Sequence, residues 1–128
     1  MRWKALIALL FVSPLVFAIG EKTFEFTPPT EYERTQYQIN NGLPATPLPQ
    51  SAIASYDIEC DGSLLVNLPN VPLNTDSYEA PPGTFATGDH SCVAFTVTTG
   101  GVRSGPSNTV NFSVAPGLPG APINFVVQ

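Results

Sequence analysis

Only a few side chains in this sequence could carry out chemistry, and the single imidazole stands in the most suggestive group. His90 is flanked by Asp89 and Ser91, so the three residue types of a hydrolytic triad follow one another in the chain. Neighbouring residues of a β-strand point to opposite faces, whereas a relay needs its groups on one side. We therefore expect His90 to be a structural or surface residue at the start of a strand, and we expect no enzymatic activity.

Three acidic residues at alternate positions form the second group. Asp57, Glu59 and Asp61 would lie side by side on one face of a strand, where carboxylate oxygens could bind Ca²⁺. Calcium sites usually collect about six or more oxygens from loops, and an acidic strand face is commonly solvated. A metal held by these residues is the alternative to a solvated face; we expect no cofactor.

Residues 1–20 have the pattern of a secretory signal peptide. Arg2 and Lys4 precede an apolar run from Ala5 to Phe17, and small residues follow at Ala18 and Gly20. The alternative, a membrane-spanning helix, needs about 20 unbroken apolar residues, and this run is shorter and is interrupted by a proline. We predict cleavage after Ala18 or Gly20 and a secreted protein, extracellular or periplasmic.

The exported part of the chain is acidic. Beyond residue 20 it has three basic residues against ten acidic ones, a formal charge of −7, where the whole sequence has −5. Nucleic acid and anionic lipid bind clustered Lys and Arg, so we expect neither partner. Cys60 and Cys92 are the only cysteines, and outside the cytosol an even number predicts one disulfide. Two cysteines without clustered histidines are too few ligands for structural zinc.

After the signal segment the sequence predicts an all-β domain, because short alternating apolar segments are separated by Pro, Gly, Asn and Asp. The Pro-rich segment from Glu31 to Ser51 is expected to be a long loop with a small hairpin at Tyr37–Ile39. Arg103, in a Gly-rich turn, is expected to be an exposed tip residue. Six strand segments precede a seventh at the C-terminus: KTFEFTPPT, IASYDIECDG, LLVNL, TDSYEAPPGTF, GDHSCVAFTVTTGG, GPSNTVNFSVAPG and finally INFVV.

Several of these segments, in this order, resemble the landmarks of a fibronectin type III domain. They are FEFTPPT, IASYDI, PPGTF and GGVRSGPSNTVNFSV, within a predicted domain of residues 21–114. The resemblance implies a seven-stranded Greek-key β-sandwich. It also implies that the third and sixth strands are antiparallel neighbours, so that Cys60 and Cys92 would join adjacent strands of one sheet. Phe26 stands where the family usually has Trp, and His90 stands where it usually has Tyr.

The two ends of the domain depart from the family. The exported chain begins directly at the segment that resembles the second strand, and a segment resembling the first strand occurs at residues 123–128, behind a Pro/Gly linker at residues 115–122. We predict that Ile123, Phe125 and Val127 supply the first strand. The segment would either fold back on its own domain or insert into a neighbouring subunit and build a filament.

These features predict a secreted, non-catalytic module with a structural or adhesive role, as fibronectin type III domains commonly have. Its partner would be another copy of the chain, through strand exchange, or an extracellular protein or glycan. The alternative is a carbohydrate- or ligand-binding accessory module, in which Tyr32 and Tyr37 of the long loop contact the ligand.

Overall fold

The chain folds as two antiparallel β-sheets in a sandwich-like arrangement. The computed structural model describes residues 22–128, so the predicted signal peptide lies outside the described residues. The larger sheet has the strand order β3-β2-β5-β6 and the smaller one pairs β1 with β4. The strands are β1 (Lys22–Glu25), β2 (Ile53–Cys60), β3 (Ser63–Pro69), β4 (Ser77–Ala80), β5 (Gly88–Thr98) and β6 (Val110–Val114). The all-β prediction is confirmed: each strand coincides with one of the six segments predicted before the C-terminal one, and β3 extends one residue beyond its segment at each end.

The core between the sheets has two clusters of buried side chains, one toward each end of the sandwich. One cluster surrounds the disulfide between Cys60 and Cys92 and includes Ala80 and Val114; we call its location the disulfide end. The other contains Tyr56, with Leu48 and Ile53 beside it, and marks the tyrosine end. Alternation along β2 explains the placement, because Tyr56, Ile58 and Cys60 share the buried face of that strand.

The predicted disulfide is confirmed, and it lies within one sheet. Cys60 of β2 is the direct register partner of Cys92 of β5, and their Cα atoms are 4.1 Å apart. The two strands form an antiparallel pair, so the bridge links neighbouring strands rather than the two sheets. A disulfide is compatible with an extracellular location.

The turn after β2 is made by Asp61 and Gly62, a residue pair that favours tight hairpins. Asp61 and Gly62 have φ values of 54° and 83°, as a tight hairpin between right-twisted strands requires. Asp61 therefore leaves the extended geometry of β2. As a result its carboxylate is directed away from the row formed by Asp57 and Glu59.

The long loop contains a short α-helix, so the predicted hairpin at Tyr37–Ile39 is wrong. The helix α1 covers Gln36–Asn40 and begins with a capping box, in which Thr35 and Gln38 exchange side-chain and backbone hydrogen bonds. The helix forms because the cap satisfies the backbone groups at its start. A bridge between Glu31 and Pro47 closes the loop at its base.

Two serines continue the large sheet between β5 and β6. Ser104 donates its N–H to the carbonyl of Thr96 and accepts the N–H of the same residue at Oγ, 2.9 Å in both cases. Ser107 repeats this exchange with Ala94. The hydroxyls thus replace the backbone carbonyls of a regular strand partner, and the Ser-x-x-Ser spacing has a structural cause.

The C-terminal segment forms no strand in this structure. Residues 115–128 have no β-pairing, and all side chains from Ala121 onward are exposed. Residues 22–128 therefore contain six strands instead of the predicted seven. The segment pairs with neither sheet of its own chain here.

Candidate functional site

The acidic row on β2 is held by an arginine instead of being open to a cation. Arg103 Nη2 donates to Glu59 Oε2 at 2.7 Å, and its Nε lies 3.3 Å from Asp57 Oδ2. The guanidinium carbon lies 3.6 Å from the centroid of the Phe95 ring. Arg103 is exposed, as predicted, but its side chain lies over the sheet, because an isolated bridge pairs its backbone with Val97 of β5.

The third carboxylate of the predicted calcium row lies in a different place. Asp61 bonds to His90 and to the backbone of Ser91, while Asn67 Nδ2 donates to Asp57 Oδ1 at 2.6 Å. The expectation that Asp57, Glu59 and Asp61 form one row is therefore wrong, because the left-handed turn redirects Asp61. Within residues 22–128, no group of three or more His, Cys, Asp or Glu side chains is placed to hold a metal.

His90 lies between two hydrogen-bond acceptors. Its Nδ1 donates to Asp61 Oδ2 at 2.6 Å and its Nε2 donates to the carbonyl of Ala86 at 2.7 Å. A carboxylate and a carbonyl can only accept, so this geometry selects the doubly protonated ring. The Ala86 carbonyl and then the Asp61 carboxylate raise the pKa of His90, while the hydrogen bonds from His90 and Ser91 lower the pKa of Asp61.

The neighbours of His90 use their polar groups on each other. Asp89 accepts a hydrogen bond from Ser113, and Ser91 donates to Asn111, both across the β5–β6 pair. These four residues line a shallow, open depression of about 510 Å³ together with His90 and Phe112. The structure does not bring His90 together with both Asp89 and Ser91 as a relay, in agreement with the alternation of a strand.

The two tyrosines of the long loop are exposed on an ordered segment. Tyr32 is 42% exposed, and Tyr37, on helix α1, is 68% exposed. Backbone hydrogen bonds from Tyr32 to Thr46 and from Leu48 to Thr30 fix the base of the loop. The rings can therefore contact a ligand without prior ordering of the backbone.

The open side of the sandwich lies between the edges of β1 and β6. Phe24 of β1 and Phe112 of β6 meet there in an edge-to-face contact of 5.9 Å, and both are half-buried. The Lys22 ammonium lies 5.6 Å from the centroid of the Phe112 ring. Among the described residues, β1 pairs only with β4 and β6 only with β5, so both facing edges keep unpaired backbone groups. We call this region the open seam.

The most exposed large apolar side chains of the described chain lie after residue 115, in the linker at Leu118 and in the C-terminal segment at residues 123–128. Ile123, Phe125 and Val127 are 81%, 92% and 94% exposed. From Ser104 to Gln128 no residue carries a charge, although the chain as a whole is acidic. The same chain therefore carries an exposed apolar segment without charges and an open seam with unpaired strand edges. Of the features described, these two are the best suited to bind each other.

Sequence reasoning missed the residues on the receiving side of this arrangement. The sequence pattern assigns Lys22 and Phe112 to separate strands only. Alternation within a strand does not indicate which strand edges of the two sheets lie next to each other. Within the described part of the chain no helix is long and apolar enough to span a membrane. Comparison with protein-family models, curated proteins and solved structures finds no match for this chain.

Proposed function

We propose that this protein is a secreted, non-catalytic structural or adhesion module that assembles with copies of itself through its C-terminal segment. The observation that carries the proposal is the coexistence of the three exposed side chains Ile123, Phe125 and Val127 with the open seam. A strand edge of this kind accepts an added strand through backbone hydrogen bonds.

The complete fold in this proposal is a seven-stranded Greek-key sandwich of the fibronectin type III type. The strands β1 to β6 correspond to its second to seventh strands, and the adjacency of β2 and β5 agrees with that correspondence. The C-terminal segment supplies the first strand, at the edge of β1. The resemblance found in the sequence and the position of the unpaired edge support this assignment.

Exposure of the three apolar side chains to water is unfavourable. Burying a Phe, Ile or Val side chain stabilises by about 1.5 to 3 kcal/mol, so the three side chains together favour a bound state by several kcal/mol before ordering costs. Ordering five residues of backbone costs about 1 to 2 kcal/mol each. New backbone hydrogen bonds along β1 and the burial of Phe24 and Phe112 must supply the balance.

The size of the full chain in solution tests the proposal. We expect sedimentation and negative-stain microscopy to show concentration-dependent assemblies for the full chain. Deletion of residues 116–128, or the single change Phe125→Ser, should leave monomers. Leu118→Ser is the matched control, because Leu118 is 87% exposed in the linker but lies outside the alternating triplet. A full chain that stays monomeric at high concentration overturns the proposal.

A second candidate function is a carbohydrate-binding accessory module. It is favoured by one observation, the exposed rings of Tyr32 and Tyr37 on a braced loop. Tyrosine rings can stack on sugars, and the closed base of the loop lowers the entropy lost on binding. A glycan array with the full chain tests it: binding lost in Tyr32→Ala and Tyr37→Ala supports it, and binding unchanged in both contradicts it.

A further inference from the structure

The directions of β1 and β6 determine where a donor strand can enter the open seam. β1 starts at the disulfide end, where Lys22 pairs with Ala80, and runs toward the tyrosine end, where Phe26 packs on Tyr56 at 4.6 Å. β6 runs the opposite way and finishes at the disulfide end, where Val114 is buried. The C-terminal segment therefore leaves its own domain at the end where β1 begins.

We infer that the C-terminal segment of one copy enters the next copy at the tyrosine end and pairs antiparallel with β1. This inference rests on the proposed function and adds its partner, polarity and register. Every ladder among the described residues is antiparallel, and antiparallel pairs are slightly more stable than parallel ones. A strand antiparallel to β1 starts at the tyrosine end, which is the end far from the point where the donor's own chain departs.

The same pairing within one chain would require the linker to run back from the disulfide end to the tyrosine end. Residues 115–122 could extend to about 25 Å at polyproline spacing. Returning to the tyrosine end covers about 13 Å along the four residue steps from Lys22 to Phe26, and crossing between the sheets adds about 10 Å at right angles, a direct distance of about 17 Å. The linker could span this distance, but in this structure the segment is not paired with β1 of its own chain. Between copies the linker has only to bridge from one disulfide end to the next tyrosine end.

The alternation of both segments restricts the register. Lys22 and Phe24 of β1 face the core, as does Phe26 just after the strand, and an antiparallel partner places its inward residues directly opposite them. The five donor residues 123–127 then pair with residues 22–26. Phe125 lies opposite Phe24. The ends of the donor follow from this, with Ile123 opposite Phe26 and Val127 opposite Lys22. In this register Val126 lies opposite Thr23 and Asn124 lies opposite Glu25, all on the outer face.

Repetition of this contact gives a filament. The donor segment leaves its domain at the disulfide end, whereas it enters the acceptor seam at the tyrosine end, so the interface is heterologous and each added copy leaves another free seam. The absence of charge from residue 104 onward removes repulsion between the tail and an acidic neighbour. The expected assembly is a linear head-to-tail chain.

Cysteine trapping between two differently labelled full-length proteins tests the inference. One protein carries Thr23→Cys and the other Val126→Cys; they are mixed, oxidised mildly and separated without reductant. We expect a mixed covalent dimer that exceeds, by tenfold or more, the yield from Thr23→Cys with Asn124→Cys, the pair expected for a parallel donor. Gln36→Cys on helix α1 with Val126→Cys is the control for random oxidation.

Each alternative outcome is distinguishable. A mixed dimer formed best by Asn111→Cys of β6 with Val126→Cys, or by the parallel pair, overturns the inference while leaving self-assembly intact. A disulfide that forms only within chains carrying both Thr23→Cys and Val126→Cys shows pairing within one copy and also overturns it. The absence of any assembly of the unmodified chain overturns the proposed function itself.

Discussion

The imidazole of His90 donates a 2.6 Å hydrogen bond to the carboxylate of Asp61 and so joins the start of β5 to the turn that follows β2. The same ring donates to the carbonyl of Ala86, in the segment before β5. It packs on Phe85 and Phe112, with ring centroids 5.1 and 5.5 Å away. One protonated side chain thus fastens two loops and one end of the core.

The first prediction concerns the pH dependence of this pair. The pKa of His90 is raised above its ordinary value of 6.5, so its stabilising contribution is complete below that pH and is lost as the pH rises through the folded value. The pKa of Asp61 is lowered below 3.8, so its contribution is present above that pH and is lost as the pH falls through the folded value. Stability should therefore be highest between these limits.

Thermal unfolding from pH 3 to pH 9 checks this prediction. We expect the difference in melting temperature between the wild type and Asp61→Asn to be largest at about pH 4 to 6.5 and to shrink on both sides, following the two shifted pKa values. His90→Gln should remove the decline above pH 6.5. Glu79→Gln, at an exposed position of β4, is the control. If the melting temperature of Asp61→Asn differs from that of the wild type by the same amount at every pH, the His90–Asp61 pair does not cause the pH dependence.

The second prediction concerns Arg103 on the outer face of the large sheet. Its side chain is 39% exposed, so solvent screens both ion pairs and each contributes about 0.2 to 1 kcal/mol. Stacking on Phe95 adds about 0.5 to 1 kcal/mol. We expect Arg103→Met to lower the free energy of unfolding by about 1 to 2 kcal/mol. Arg103→Lys should recover part of the loss, since it keeps the charge but not the planar stack.

A double-mutant cycle in urea separates these contributions. Glu59→Gln in the Arg103→Met background should cost less than Glu59→Gln in the wild type, because the carboxylate has then already lost its partner. The coupling should weaken in 1 M salt. Equal costs in both backgrounds would mean that the pair contributes nothing measurable.

The third prediction concerns the hydroxyl of Tyr56, which is buried without a hydrogen-bond partner among the described residues. The ring itself packs on Phe26 in the core at the tyrosine end. Burial raises the pKa of Tyr56 because it penalises the phenolate. Since an unsatisfied buried hydroxyl costs about 1 to 3 kcal/mol, Tyr56→Phe should be neutral or stabilising, whereas Tyr56→Ala should cost about 3 to 5 kcal/mol. Chemical denaturation of both variants checks this; a large loss in Tyr56→Phe would reveal a partner.

The fourth prediction concerns the disulfide. Cys60 and Cys92 are separated by 32 positions, and a loop of this size removes about 3 to 4 kcal/mol of chain entropy from the unfolded state. We expect the Cys60→Ala, Cys92→Ala double variant to keep its far-ultraviolet spectrum while melting more than about 10 °C lower. Unchanged melting after reduction of the wild type would contradict the prediction.

Strand faces, turns and helix starts can be predicted from residues that are close together in the sequence. The alternation along IASYDIEC predicts which face of β2 is buried, and Asp61-Gly62 predicts the turn after it. The helix at Gln36–Asn40 could have been found from the capping pair Thr35 and Gln38, because that signal depends only on residues three apart.

The candidate sites depended on contacts between segments far apart in sequence. A period of two determines the face of a residue within one strand but not the register against its neighbour, so the approach of Arg103 to Glu59 and of Asp61 to His90 could not be predicted. The sequence by itself determined the β-class, the single disulfide and an apolar alternating C-terminal segment. Only the tertiary structure decided that the segment stays exposed and that β1 and β6 leave an open seam between them, because both depend on how strand edges face each other across the two sheets.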